Sequence, residues 1–357
     1  MGKDELETAW RRELDQVPKM YEPEVRLLER IAARTEKIVQ ANSKTLEKSR
    51  EDTDELVIAS ISLDIDETTD LDRYDEPVHG TDYILRNLKP GVFDRVVATV
   101  PTYIEAAREQ GAQFVCINEL GFPTCSPETD GFHLFQQRSN EFLERLVELS
   151  EKHGLYIIGG TYHCTKTFYN KAVLCHPGKL IKKNPLTHAK KTSAHSVGEV
   201  VRIPYDRSIR VYITRHCSVG ILVCLDSFDQ SLITGLVRAR ASKGSYHYSP
   251  DIVFVPSLNP AGSYAHQACE DLSNILANVV VLTNTQKYGG AHWKTVYVCG
   301  KPIEQKCVEN VQGTDGTTRL FRINVNEYRT RSELLKINRT SLFYRTYGVR
   351  DFYREGW

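Results

Sequence analysis

Short apolar runs alternate with amphipathic stretches along most of the chain. The apolar runs are rich in β-branched residues and predict buried strands at residues 55–64, 113–120, 155–162, 169–176, 219–225, 251–255 and 275–282. Helical spacing of apolar residues predicts helices at residues 93–110, 132–153 and 233–243. The acidic stretch 64–76 predicts a solvated loop. Strands that alternate with helices predict a layered α/β domain over residues 55–325.

The sequence of residues 132–153 also predicts which side of the helix is buried and where the helix ends. Apolar residues recur on one side of it, and we expect that side to face the core. They are Leu134, Phe142, Leu146 and Leu149. Gly154 follows at the position where a left-handed residue commonly ends a helix.

The two ends of the chain differ from the central domain. Residues 1–54 are highly charged, and apolar residues recur there at helical spacing, which predicts an N-terminal helical extension. Residues 326–357 form a tail in which arginines alternate with aromatic residues. This composition is typical of protein interfaces and also of surfaces that stack on single-stranded nucleic acid. We expect the tail to form a subunit interface and regard nucleic acid as the less favoured partner.

Charge and hydropathy exclude several classes of protein. The 357 residues contain 46 basic and 46 acidic side chains, so the net charge of +0 gives no general attraction to nucleic acid or to acidic membranes. The most apolar run, residues 219–225, is far shorter than the roughly 20 residues of a membrane span. The N-terminus is charged from its start and lacks the apolar core of a signal peptide.

The cysteines indicate a reducing compartment. Their number is nine, an odd count without a CxxC pair, which favours free thiols in a cytoplasmic protein over a disulfide framework. Cys164, Cys175 and Cys217 each lie beside a histidine, but they lack the tightly spaced ligand pairs of structural zinc sites. We therefore expect neither a metal nor an organic cofactor.

Three segments carry residues suited to catalysis. In FVCINELGFP, Glu119 ends a buried strand, where α/β folds place their clefts. In SVGILVCLDSF, Cys224 ends the most apolar strand, at a place suited to a nucleophile on a strand-to-helix elbow. In LTHAKKTSAHSVGE, Lys190 and Lys191 precede Glu199. A lysine brought close to the cysteine would lower the pKa of its thiol and oppose a developing oxyanion.

Each of these signals is weak alone, but their order along the chain resembles the nitrilase (carbon–nitrogen hydrolase) superfamily and its Glu–Lys–Cys triad. The resemblance covers about residues 55–325. It is supported by the segments VIASISLD, IIGGTYH, FYNKAVLCHPGK, VFVPSLN and VVVLTNTQKYGGAHW. It implies an α-β-β-α sandwich of two sheets flanked by helices. Such domains usually pair through their helical layers, so we expect a homodimer or a larger homo-oligomer.

The resemblance also implies the roles of individual residues. Glu119 matches the strand-end glutamate, and Cys224 matches the nucleophile, with Leu225 in place of the usual aromatic residue. Lys191 is the favoured catalytic lysine because Glu199, the supporting glutamate, follows it by eight residues. The His188-x-Lys190 spacing keeps Lys190 as the alternative.

The implied activity is hydrolysis of a C–N bond other than a peptide bond in a small amide, an N-carbamoyl compound or a nitrile. Cys224 would attack the substrate, Glu119 would carry the proton, and Lys191 with the N–H of Leu225 would stabilise the oxyanion. The alternative is a catalytically silent scaffold or sensor subunit that associates with a partner through the terminal extensions. Amides are the commoner substrates of this superfamily, so we favour the amidase hypothesis.

Overall fold

A computed structural model gives the fold of the chain. It describes residues 41–46, 55–78, 81–178, 181, 183–192, 199–205, 209–229, 232–233, 236, 250–260, 262–276, 278–288, 296–298, 301–302, 306–307 and 316–324. The described strands, in chain order, are β1 (Ala41–Thr45), β2 (Glu55–Leu63), β3 (Leu71–Val78), β4 (Thr81–Leu88), β5 (Phe114–Ile117), β6 (Tyr156–His163), β7 (Asn170–Cys175), β8 (Leu186–Ala189), β9 (Ile209–Ile213), β10 (Ser218–Ile221), β11 (Ile252–Pro256), β12 (Val279–Thr283), β13 (Val296–Val298), β14 (Lys301–Pro302), β15 (Lys306–Cys307) and β16 (Gly316–Asn324). The described α-helices longer than one turn are α1 (Pro90–Glu109), α2 (Phe132–His153) and α3 (Gly262–Leu276).

Two large sheets form the centre of the molecule. Within the described residues, sheet I has the strand order β15-β16-β2-β5-β6-β7-β8, and sheet II has the order β1-β9-β10-β11-β12-β13-β14. In both sheets the central pairs are parallel, namely β2–β5–β6 in sheet I and β10–β11–β12 in sheet II. A separate hairpin is formed by β3 and β4.

The central strands are buried on both faces, which explains why they read as nearly continuous apolar runs. Along β5, Phe114 and Cys116 face a core between the two sheets, whereas Val115 and Ile117 face a core that sheet I shares with α1 and α2. Along β11, alternate residues likewise join the core between the sheets and a third core under α3. The layers are therefore helix, sheet, sheet and helix, and the predicted α-β-β-α sandwich is confirmed.

Helix α2 spans the residues that the sequence predicts, and Gly154 ends it in the left-handed conformation with φ 68°. Its buried side includes Phe142, Leu146 and Leu149. Leu134 is an exception, because 55% of its surface is exposed, so its prediction as a core residue was wrong. No helix in the described ranges is both long enough and apolar enough to cross a membrane.

Other sequence predictions are corrected or lie outside the described residues. Part of the acidic stretch is strand β3, not loop; its alternating buried and exposed residues rest on the domain by one face only, so it needs few apolar side chains. Residues 41–45, placed in the helical extension, form β1 and pair with β9 of sheet II. The rest of residues 1–54, apart from Leu46, and the whole tail 326–357 lie outside the described residues. Of the helix predicted at 233–243, the structure describes Ile233 and Leu236, and both are helical.

The contrast between two leucines on α2 gives a test of the packing. Leu146 is fully buried and packs against Gly159 of β6, where a Cβ atom would lie only 2.8 Å from the leucine side chain. We expect Leu146→Ala to lower the free energy of unfolding by about 2 to 5 kcal/mol, because it opens a cavity beneath the helix. Leu134→Ala on the same helix should change it by less than about 0.5 kcal/mol. Denaturant titration of both variants would measure this, and equal losses would contradict the packing.

Candidate active site

Three neighbouring strands of sheet I bring polar residues together at one end of the sheet. His163 at the end of β6 pairs directly with Asn170 at the start of β7. The backbone N–H of Lys190, just after β8, donates to the backbone oxygen of Asn170 at 2.8 Å. Residues that lie opposite one another in a sheet project from the same face. Asn170 shares its face with Ala172 and Leu174, which belong to the core between the sheets, so this polar row points between the sheets.

Glu119 follows β5 and is held by donors from both sheets. Its Oε1 atom accepts hydrogen bonds from Lys190 Nζ at 3.0 Å and from Asn170 Nδ2 at 2.8 Å. Its Oε2 atom accepts one from the backbone N–H of Leu258, which follows β11 of sheet II, at 3.0 Å. The backbone N–H of Glu119 also donates to the Ser257 carbonyl at 3.3 Å. The carboxylate is thus fixed at the edge where the two sheets meet.

Lys190 forms a buried ion cluster with two glutamates. Its Nζ lies 3.0 Å from Glu119 Oε1 and 2.5 Å from Glu199 Oε2, and only 1% of its side chain is exposed. Burial alone would lower the pKa of Lys190, but the charges of Glu119 and Glu199 raise it well above its usual value. Burial would likewise raise the pKa of Glu199, but the Lys190 ammonium and the hydrogen bond from His163 hold it below its usual range. Lys190 is therefore charged, and Glu199 is ionised.

His163 supports Glu199 from the other side. The backbone N–H of Arg86 in β4 donates to His163 Nδ1 at 2.6 Å, so Nδ1 is an acceptor and carries no proton. The ring proton is then on Nε2, which donates to Glu199 Oε1 at 3.0 Å. Beside Glu199, Val200 forms an antiparallel bridge with Ile84 of the same hairpin. The hairpin thereby fixes both the tautomer of the histidine and the backbone next to Glu199.

Cys224 sits on a sharp turn at the end of sheet II. Strand β10 ends at Ile221, and Cys224 begins a short 3-10 helix with a φ of 47°, in the left-handed region that side chains other than glycine rarely adopt. Ser227 Oγ donates to the Cys224 carbonyl at 2.7 Å, and Ser257 Oγ donates to its Sγ atom at 3.4 Å. The predicted strand-to-helix elbow is therefore present.

Burial raises the pKa of the Cys224 thiol above its ordinary value, and the nearby Glu119 charge raises it further, whereas Lys190 opposes them. The lysine lowers the thiol pKa, as expected from the sequence, but burial outweighs this effect. The sulfur needs a base to accept its proton, and Glu119 lies close enough to interact with it.

Asp226 ties the cysteine elbow to the lysine segment. This fully buried carboxylate accepts hydrogen bonds from the backbone N–H of Val223 at 3.2 Å and of Lys191 at 2.9 Å. Its Oδ1 atom also accepts a hydrogen bond from Thr192 Oγ1 at 2.9 Å. Burial raises the pKa of Asp226 to about 6. Leu225, the predicted oxyanion donor, lies between Cys224 and Asp226 in the first turn of the 3-10 helix.

The lysine assignment from the sequence needs correction. Lys190, the alternative, reaches both glutamates, whereas Lys191 contacts the elbow through its backbone N–H. The pleat of β8 explains why Lys190 faces inward, because Leu186 and His188 are buried while Thr187 is exposed. Lys191, beyond the end of the strand, is also buried, but the contacts to both glutamates come from Lys190. The eight-residue spacing to Glu199 favoured Lys191, the neighbour of the lysine that contacts both glutamates. The sequence analysis did not single out Asn170 as a site residue, although its place opposite His163 in the β6–β7 pair could have indicated it.

Replacing each lysine in turn tests this geometry without any assay of activity. We expect Lys190→Met to lower the free energy of unfolding by about 3 to 5 kcal/mol, because it leaves two buried carboxylates without their cation. Lys191→Met keeps the backbone hydrogen bond to Asp226 and both contacts between Lys190 and the glutamates, so it should lower the free energy of unfolding by less than Lys190→Met does. Denaturant titration at pH 7 measures both. A larger loss for Lys191→Met would mean that Lys190 is not the buried cation of the cluster.

A family model matches the part of the chain that contains the site residues. The family model for carbon–nitrogen hydrolases matches residues 85–242, which include Glu119, Lys190, Glu199 and Cys224. A search of curated proteins by sequence finds no significant match.

Similar solved structures show the fold. Nit3 from Saccharomyces cerevisiae, described as a member of branch 10 of the nitrilase superfamily, is 14% identical with a TM-score of 0.52, and the match covers 82% of this chain and 97% of Nit3. A carbon–nitrogen hydrolase from Helicobacter pylori is 13% identical with a TM-score of 0.53 and coverages of 85% and 99%. A double mutant of an amidase from Nesterenkonia sp., in complex with acrylamide, is 12% identical with a TM-score of 0.52 and coverages of 84% and 99%. The chain therefore shares the fold of solved members of the nitrilase superfamily, and it is similar to the carbon–nitrogen hydrolase family over residues 85–242, somewhat less than half of its length.

Proposed function

We propose that this chain is a thiol-dependent hydrolase that cleaves the C–N bond of a small amide through an acyl-enzyme on Cys224. The observation that carries the proposal is the buried cluster in which Lys190 is held between Glu119 and Glu199, next to a buried cysteine on a strained elbow. A base, a fixed positive charge and a nucleophile are the three parts that acyl transfer needs.

In the first step the sulfur of Cys224 attacks the amide carbon. The C–S bond forms while the thiol proton passes to Glu119. The Oε2 atom suits this transfer, since among the described residues the Leu258 N–H is its one backbone donor, whereas Oε1 accepts hydrogen bonds from both Lys190 and Asn170. A carboxylate oxygen has room for about two hydrogen bonds, so Oε2 keeps a lone pair for the proton.

The oxygen of the tetrahedral intermediate carries a negative charge that needs stabilising. We assign this role to the Lys190 ammonium and the backbone N–H of Leu225. The lysine is already held in place by two carboxylates, so it does not reorganise during the reaction. Fixed donors of this kind are worth about 3 kcal/mol each in the barrier. Glu199 positions the lysine and takes no part in the proton transfers.

Two further transfers complete the cycle. Glu119 gives its proton to the leaving nitrogen as the C–N bond breaks, which releases ammonia or an amine and leaves a thioester on Cys224. Water then attacks the thioester carbon and gives a proton to Glu119. The C–S bond breaks, the carboxylic acid leaves, and Glu119 returns the proton to the sulfur.

The substrate class is the least constrained part of the proposal. The acrylamide bound to the Nesterenkonia amidase makes short aliphatic amides the first compounds to try. N-carbamoyl compounds and nitriles would pass through the same thiol chemistry. The alternative of a silent scaffold is disfavoured, since a buried ion cluster is costly to form and offers a binding protein no evident advantage.

Ammonia release from butyramide and acrylamide tests the proposed function. We expect turnover by the wild type, and we expect Cys224→Ala and Glu119→Gln to abolish it. Lys190→Met should lower kcat/KM by at least about 100-fold, since it removes the fixed charge opposite the oxyanion. Intact-protein mass spectrometry during turnover should show one acyl group, mapped to Cys224 by peptide analysis.

Cys269→Ala is the matched control, because Cys269 is also fully buried but lies on α3, in the core under sheet II. It should keep its activity. If no amide, N-carbamoyl compound or nitrile is hydrolysed and no acyl group forms, the proposed function is wrong and the scaffold hypothesis becomes the better account.

A further inference from the structure

Asn170 makes an unusual pair of contacts for a residue outside the triad. Its Nδ2 atom lies 2.8 Å from Glu119 Oε1 and 2.9 Å from Glu199 Oε1. An amide nitrogen carries two hydrogens, so it can donate one to each carboxylate. The residue is almost completely buried, with 1% of its surface exposed.

The orientation of the Asn170 amide supports this assignment. Within the described part of the chain, its Oδ1 atom has no hydrogen-bond partner. The opposite orientation would place that oxygen against two carboxylates and would lose both hydrogen bonds. A buried oxygen left without a partner is unfavourable, so the two hydrogen bonds to the carboxylates outweigh that cost.

The charge balance of the cluster explains what these hydrogen bonds do. Glu119 and Glu199 share one ammonium, that of Lys190, so the cluster has an excess negative charge. Asn170 is the second group that bridges the carboxylates, and it carries no charge of its own. It keeps them together without neutralising the base. Together with Lys190 it fills Oε1 of Glu119, and within the described residues it leaves Oε2 with the Leu258 N–H as its one backbone donor.

We propose that Asn170 is a positioning residue that joins Glu119 to Glu199 and directs the proton of the nucleophile to Oε2 of Glu119. The assignment rests on the proposed function for its catalytic meaning. The effect of Asn170 on Glu119 does not depend on that function, and it can be tested separately. Among the described residues, the charged or titratable groups of the cluster that contains Glu119 include Lys190 and Cys224, which interact with Glu119 itself, Glu199 and Asp226, which interact with Lys190, and His163, which interacts with Glu199.

The test compares the pH dependence of two reactions in wild type, Asn170→Ala and Asn170→Asp. The first is amide hydrolysis, and the second is alkylation of Cys224 by iodoacetamide, which needs ionised Glu119 but no turnover. Asn170 donates a hydrogen bond to the carboxylate of Glu119, so its loss should move the acid limb of both profiles to higher pH. At pH 7 we expect kcat to fall about 10- to 100-fold in Asn170→Ala with a smaller change in KM. Asn170→Asp should be the more damaged variant, because it adds a carboxyl group to the cluster.

Asn278→Ala is the matched control. Asn278 is a buried asparagine just before β12, and its amide donates to a neutral carbonyl, that of Pro250, at 3.3 Å. It should lose some stability while its acid limb stays in place. If Asn170→Ala behaves in the same way, with slower reaction but an unmoved acid limb in both assays, the positioning role is overturned. If wild type is alkylated at Cys224 with an acid limb that Asn170→Ala shifts, yet hydrolyses no amide, the inference holds and the proposed function fails.

Discussion

One buried ammonium between two buried carboxylates determines the arrangement of the site. Removing Lys190, Glu119 and Glu199 from water is expensive, and only close contacts with complete hydrogen bonding can offset that expense. The structure supplies those contacts from both sheets, through Asn170 and His163 on sheet I and the Leu258 N–H after β11. Each of these donors forms a hydrogen bond to a carboxylate, and both carboxylates pair with the buried lysine. The cluster therefore fixes how the two sheets meet at this edge.

The nucleophile depends on that cluster without being part of it. Burial and the Glu119 charge raise the pKa of Cys224, so in the proposed mechanism the sulfur becomes a good nucleophile only as its base accepts the proton. This differs from a cysteine that exists as a thiolate at rest, and it protects a buried thiol from adventitious chemistry. Asp226 links the two halves, since it binds the backbone of both Val223, next to the nucleophile, and Lys191, next to the buried lysine.

Much of the fold could be predicted from the sequence because its central strands and helices have strong patterns. The β-branched run at Glu55–Leu63 results from burial on both faces of a sheet. The helical spacing of apolar residues in Phe132–His153 results from burial on one side of a helix. The β3–β4 hairpin was missed, since it is stabilised by cross-strand pairing and by contact on one face, which leave little trace in hydropathy. Asn170 was missed as a site residue for a similar reason. Its role arises from the β6–β7 register, and nothing in its local sequence requires it.

A double-mutant cycle on the free energy of unfolding tests the central claim most directly. It combines Lys190→Met with Glu199→Gln, and it measures each single variant and the double variant by denaturant titration at pH 7. If one ammonium serves both carboxylates, neutralising Glu199 removes part of the penalty for losing the lysine. The double variant should then be more stable than the sum of the single losses predicts, by about 1 to 3 kcal/mol. Losses that add to within about 0.5 kcal/mol would show that the two charges do not interact, and would contradict the account.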